Sequence, residues 1–190
     1  MSISVSSVIY YAWIVVGLVW LVAFRFTKRT VRAQPVGPRV FHLLAAALGF
    51  FLIAKHSFDF GWLGARIVPA SSRVEWLGAA VTILGCLFAI WARITLGSNW
   101  SGRATVKKNH ELIQRGPYSV ARHPIYTGLL TAAAGTALAN GEARCLVGLI
   151  LIVLALFVKM SQEERLMQQT FPEAYPAYRR RVKALIPGVF

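Results

Sequence analysis

Arg122, His123 and Tyr126 stand within a few residues of one another in the run GPYSVARHPIYTG (116–128), directly before an apolar segment. A guanidinium, an imidazole and a phenol at that spacing can hold an anion and donate hydrogen bonds. Pro124 suits the first turn of a helix, where its missing N–H removes no intrahelical bond. Arg122 and His123 then sit at the mouth of a helix, with Tyr126 and Gly128 in its first turns. Free amides at such a start attract anions such as carboxylates. A second constellation follows in Lys159-Met160-Ser161-Gln162-Glu163-Glu164. There Lys159 and Glu163 lie one helical turn apart on one face. Carboxylates near a helix C-terminus oppose the dipole, so this pair calls for a longer helix or for partners. Together the two sets could bind a ligand bearing both signs of charge. Taken singly, each also reads as a basic loop capping a membrane helix and a solvated helix end.

The elements that must position these residues are apolar spans. Of the 190 residues 56% are hydrophobic, yet the net charge is +14. A soluble domain with that much apolar surface would aggregate, and a nucleic-acid binder would not keep its basic residues apart between long apolar runs. Blocks of about 20 apolar residues bounded by Lys and Arg indicate an all-α, polytopic integral membrane protein. Five spans are expected, at 5–24, 40–60, 74–95, 125–140 and 143–162. The first lacks a basic leader and is followed by Arg25, Lys28, Arg29 and Arg32, which reads as an anchor with a stop-transfer flank. Segment 25–39 carries five basic residues, segment 93–124 six, and the tail from Arg165 five, against Arg66, Arg73 and Arg144 in the opposite loops. The alternation puts the N-terminus outside and the C-terminus in the cytoplasm. The chain reads as one domain over 1–190: three spans in 1–95, then a loop, a helical hairpin and a tail in 96–190. Asn140-Gly141-Glu142 supplies the hairpin turn.

Other polar residues are weaker pointers. Cys86 and Cys145 lie inside apolar segments without ligand spacing, and the histidines form no metal signature, so no metal is expected. Lys55, His56 and Asp59 are ionisable at membrane depth, although Lys55 can pair with Asp59 or snorkel outward. Gly78 and Gly85 in span three, and Gly128 and Gly135 in span four, would let helices approach closely. The basic loop of about 25 residues after Trp100 is long enough to suggest function. The tail segment 171–181 suits a short amphipathic helix on an anionic membrane surface.

In LGSNW (96–100), HELIQRGPYSVARHPIYTG (110–128) and EERLMQQTFPEAYPAYRRRV (163–182), the chain resembles the isoprenylcysteine carboxyl methyltransferase family of integral membrane enzymes. The resemblance implies S-adenosyl-L-methionine as methyl donor, held by the loop, the last two spans and the tail on the cytoplasmic side. By position, the implied cofactor contacts are His110, Glu111, Leu112, Ile113, Tyr118, His123, Pro124, Ile125, Tyr126 and Glu163. The family carries a substrate-meeting arginine one turn before that glutamate; here the residue is Lys159. Lys159 or Arg122 would steer an anionic acceptor. The implied substrate is a lipophilic or lipidated molecule entering from the bilayer, most simply an isoprenylcysteine-like carboxylate, among membrane lipids and without nucleic acid. Alternatives are methyl transfer to a lipophilic thiol or a phospholipid amine, an NADPH-dependent reductase of the sterol type, and a non-catalytic membrane protein whose basic loops bind anionic lipid.

Overall fold

The structure is a computed structural model; it describes residues 4–28, 30–33, 37–55, 61–100, 105–107 and 111–186. Five long helices carry the fold: α1 (Val5–Phe24), α2 (Gly37–Ala54), α3 (Ser72–Leu96), α4 (Pro124–Asn140) and α5 (Ala143–Thr170). A short α6 (Ala174–Arg181) follows. α1, α3 and α5 are long and apolar enough to cross a membrane, and α2 contains a shorter apolar helix over Val40–Ala54. The all-helical polytopic architecture agrees with the apolar blocks. The helices are joined by a two-stranded antiparallel ribbon of β1 (Thr30–Ala33) and β2 (Thr105–Lys107), which the apolar pattern did not announce.

Two boundaries differ from the sequence reading. The second span stops as a helix at Ala54 rather than at 60, and Lys55 lies beyond its end with its ammonium 5.6 Å from the Phe51 ring centre. His56 and Asp59 lie outside the described residues. The fifth helix runs on to Thr170, so Glu163 and Glu164 sit inside it, away from the unfavourable C-terminal end of its dipole.

Glycine decides how the helices pair. α3 and α4 run antiparallel, with Gly78 facing Gly135 and Gly85 facing Gly128. A Cβ on Gly128 would lie 2.6 Å from the amide nitrogen of Ala89, so only hydrogen permits this approach. Gly49 of α2 meets Gly148 of α5 in the same way. In lipid, where apolar side chains gain nothing by leaving the solvent, such backbone contact is a main source of helix adhesion. Thr82 and Thr136 hydrogen-bond across the first seam at 3.2 Å, and Trp13 of α1 donates to Thr136 at 3.1 Å. α4 and α5 are linked by Gly141 in the left-handed conformation (φ 69°) and form the expected hairpin, yet α4 packs chiefly on α3 and α5 chiefly on α2.

Two arginines counted as loop charges are buried. The Arg93 guanidinium, 1% exposed, donates to Gly97 O at 2.9 Å and to Ala23 O at 2.8 Å, and stacks on Trp100 with its carbon 4.5 Å from the ring centre. Arg144 pairs with Glu142 at 2.6 Å and donates to Leu52 O and Ile53 O. Each places a cation on the last carbonyls of a neighbouring helix, α1 in one case and α2 in the other. Carbonyls in the last turn of a helix lack the i+4 donor of a continuing helix and carry the negative end of the dipole.

The connections segregate to two ends. At one, the Lys28 amide donates to Ser98 O at 3.0 Å beside the β1–β2 ribbon. At the other, the amides of Ile67 and Val68 donate to Gly141 O at 2.8 and 3.1 Å. Among the described residues, Arg122, His123, Tyr126, Lys159, Glu163 and Glu164 lie at the first end.

Candidate active site

α4 begins as Pro124 permits. It sits at the first helical position, fully buried, and the carbonyl of His123 receives the amides of Tyr126 at 2.9 Å and Thr127 at 3.1 Å. The amides just before it are not free to hold a ligand carboxylate. Arg122 N donates to Lys183 O at 2.8 Å and His123 N to Ala184 O at 2.9 Å. Thr127 Oγ1 adds a bond to Leu185 O at 2.9 Å. The tail therefore lies across the helix start like an added strand. It returns because Ala184 and Leu185 are buried with Tyr118, Ile125, Tyr126 and Met160 in one apolar cluster.

Arg122 ties this junction together. Its Nε and Nη2 reach Glu164 Oε1 at 2.9 and 2.5 Å, and its Nη1 donates to Val182 O at 2.5 Å. Glu164 also lies 3.4 Å from His123 Nε2 and 3.5 Å from Arg179 Nε. The preceding carboxylate has different company. Tyr126 places its hydroxyl 2.7 Å from both oxygens of Glu163, sharing one proton between them. His123 Nδ1 stands 3.7 Å and Lys159 Nζ 3.8 Å from the same carboxylate. His123 stacks on Tyr126 at 5.4 Å with the rings within 3° of parallel, and Lys159 Nζ lies 5.3 Å from the Tyr126 ring centre. Adjacent residues on one helix thus point into different environments, because one step turns a helix by about 100°.

Between α3, α4, α5 and α6 opens a cleft of about 830 Å³, counted out to its mouth. Glu163, Tyr126 and His123 form its polar side, while Leu112, Ile113, Ile125 and Met167 supply apolar surface. Trp100, Tyr118, Tyr175 and Tyr178 contribute aromatic rings. Burial pushes the Tyr178 phenol up to about 12, and its hydroxyl donates to Tyr118 O at 2.5 Å. The phenol of Tyr118 is raised further by burial and the nearby Glu163. Glu111 sits at the exposed rim, with Lys28 reaching it at 3.4 Å.

Of the residues nominated from sequence, Glu111, Leu112, Ile113, Tyr118, Arg122, His123, Ile125, Tyr126 and Glu163 meet in this one cleft. Pro124 does not line it and shapes the helix start from behind. Lys159 stands beside the Glu163–Tyr126 pair rather than on the cleft lining. His110 lies outside the described residues. The Arg122 charge is already matched by Glu164, which makes its role one of holding the tail.

Sequence reasoning missed Trp100, Met167, Tyr175 and Tyr178 as lining residues. The signal for Tyr175 and Tyr178 was present: aromatic rings three apart on a helix otherwise ending in Arg179, Arg180 and Arg181. The expected amphipathic helix forms, but its aromatic side faces the cleft, each ring being 2% exposed.

The family model for the isoprenylcysteine carboxyl methyltransferase family matches residues 77–169. A protein-S-isoprenylcysteine O-methyltransferase B of Arabidopsis thaliana is 28% identical over 115 residues, which are 59% of this chain and 58% of the relative. A nickel-cobalt-cadmium resistance protein of Alcaligenes xylosoxydans xylosoxydans is 33% identical over 119 residues, 59% of this chain and 52% of that protein. The chain thus matches between about half and three fifths of the length of these relatives. Among solved structures, a eukaryotic intramembrane Ras methyltransferase has the same fold over 81% of this chain and 50% of its own, with a TM-score of 0.54 and 23% identity.

Proposed function

We propose, from the match of residues 77–169 to the family model, that the chain is a member of the isoprenylcysteine carboxyl methyltransferase family and moves a methyl group from S-adenosylmethionine to a lipophilic carboxylate. The observation that carries this reading is the Glu163–Tyr126 pair facing an aromatic and apolar cleft at one end of the membrane helices. The donor set fits that cofactor. A carboxylate suits its cationic groups, while aromatic faces suit a sulfonium and a stacked adenine. Leu112, Ile113, Ile125 and Met167 provide a dry slot. When bound, the cofactor supplies a methyl activated by a positively charged sulfur.

The residues of this chain then do three things. Glu163, with its orientation set by the Tyr126 hydroxyl, holds the cationic end of the donor. Lys159, set 3.8 Å from Glu163, attracts an anionic acceptor and disfavours a protonated amine. The tail and α6 exclude water from the cleft. Methyl transfer from a cation to an anion neutralises charge, so a water-poor site favours it. A carboxylate acceptor is already ionised near pH 7 and needs no general base. Most of the acceleration comes from holding nucleophile and methyl in line.

The cleft lies at the end bearing the larger Lys/Arg count, which supports a cytoplasmic site with the N-terminus outside. The acceptor's apolar part would arrive from the bilayer. Calorimetry of the detergent-solubilised protein with S-adenosylhomocysteine and with NADPH tests the cofactor class. Saturable binding of the first alone is expected, and binding of NADPH alone overturns the reading in favour of a reductase. Mass spectrometry of lipid extracts from membranes with and without the protein then identifies the methylated acceptor class.

A further inference from the structure

A second cavity lies on the other side of the Arg122–Glu164 pair and has no part in the chemistry above. It is lined by Phe157, Met160, Ser161 and Glu164 of α5, by Arg122, and by Arg179, Lys183 and Ala184 of the tail region. It measures about 780 Å³ out to its mouth. Phe157, Met160, Ser161 and Glu164 follow the spacing of a single helix face, turned away from the face carrying Lys159 and Glu163. Arg122 and Glu164 form the wall between the two spaces, since Arg122 lines both.

The lining has two chemistries. Three basic side chains face one carboxylate. Glu164 is largely engaged by Arg122 at 2.5 Å, so the uncompensated charge belongs to Arg179 and Lys183. Arg179 touches Glu164 only at 3.5 Å and is half exposed. Lys183 is exposed and makes no ion pair among the described residues. Below this basic rim, Leu146, Ile150, Leu154 and Phe157 run along α5 as an exposed apolar stripe. From Leu146 to Phe157 that stripe is about 16 Å long at 1.5 Å per residue, comparable with a lipid acyl chain. An exposed apolar stripe leading up to a cationic hollow fits an amphiphile with an anionic head.

We propose that this cavity binds the headgroup of one anionic phospholipid, with Arg179 and Lys183 on its phosphate and an acyl chain along Leu146, Ile150, Leu154 and Phe157. A methyl acceptor is a poorer occupant, because the Arg122–Glu164 wall separates the hollow from the cleft. The bound phosphate shares Arg179 with Glu164, so the lipid bears on the clamp that holds the tail over the cleft.

The test is native mass spectrometry of the full chain released from nanodiscs containing equal phosphatidylcholine and phosphatidylglycerol. Retention of one phosphatidylglycerol per chain in preference to phosphatidylcholine is expected. Lys183→Glu should lower retention at least about fivefold, in keeping with one juxtamembrane basic residue, whereas Lys183→Arg should keep it. Equal retention of both lipids, or full retention by Lys183→Glu, overturns the proposal. Displacement of phosphatidylglycerol by submillimolar glycerol phosphate also overturns it, since a soluble anion would then suffice. Retention is read directly from mass, so its failure is distinct from any failure of methyl transfer.

Discussion

Arg122 and Glu164, forty-two residues apart, meet through two nitrogens on one carboxylate oxygen, with only 7% and 14% of their side chains exposed. The neighbouring Glu163 instead meets the Tyr126 hydroxyl and faces the cleft. The two glutamates should therefore fail in different ways. Glu163→Gln should weaken S-adenosylhomocysteine binding about tenfold or more, the loss of one charge-assisted hydrogen bond. Glu164→Gln should affect binding less and lower stability by about 3 kcal/mol, because Arg122 is left buried without its counter-charge. Calorimetry and thermal unfolding of both variants in one detergent separate the effects; equal binding losses would refute the division.

Lys159 carries a charge at membrane depth and is expected to be costly without a partner. If an acceptor supplies that partner, Lys159→Met should leave cofactor affinity nearly intact and lower single-turnover rate sharply. Lys159→Arg should retain much of that rate, since a guanidinium also grips a carboxylate. Parallel loss of affinity and rate in Lys159→Met would assign Lys159 to ordering Glu163. An unchanged rate would remove it from the site.

Tyr178 links α6 to the Gly116–Ser119 turn through its bond to Tyr118 O. Burial favours the neutral phenol, raising it from about 10 in an unfolded chain to about 12. Its contribution to stability is therefore complete below pH 10 and is lost as pH rises through 12. Tyr178→Phe should cost about 1 kcal/mol near neutrality and show a shallower loss of melting temperature between pH 10 and pH 11 (roughly the lower half of that window). A loss as steep as that of the wild type would show that Tyr178 is not the titrating group.

Gly128 leaves no room for a methyl group against α3, where Ala89 N and Gly85 O stand 2.6 and 2.7 Å from the added Cβ. Gly128→Ala should force α3 and α4 apart and destabilise by about 1–3 kcal/mol. Gly17, with nothing within 4 Å of an added Cβ, is the control. Gly17→Ala should be neutral or slightly stabilising, and equal melting temperatures for the two variants would contradict the seam.

Cysteine-accessibility labelling in intact cells checks the orientation. Single-cysteine variants at 107 should be protected from an impermeant reagent, and those in the 61–71 segment should react. Labelling from outside at 107 would invert the topology and place the cleft on the external face.

The amino-acid order by itself determined the helices, since a run of apolar residues must form intrahelical hydrogen bonds to enter lipid at all. It also located Gly78, Gly85, Gly128 and Gly135, whose regular spacing marks one face of each helix. The RHPIYTG run and the EE pair were legible as chemistry because charged and phenolic groups beside membrane spans are expensive to keep without a use. What the order could not state was which cation each carboxylate would meet. Glu163 and Glu164 are adjacent in the chain, and only the angle at which α5 passes α4 decides that one faces Tyr126 and the other Arg122. The same holds for the tail: its aromatic and basic residues fit a membrane-surface helix equally well. Burial of Ala184 and Leu185 beside Ile125 turns Tyr175 and Tyr178 into walls of the cleft. Local pattern fixes which residues are helical and apolar, whereas pair identity depends on contacts between segments far apart in sequence, and those exist only once the helices have packed.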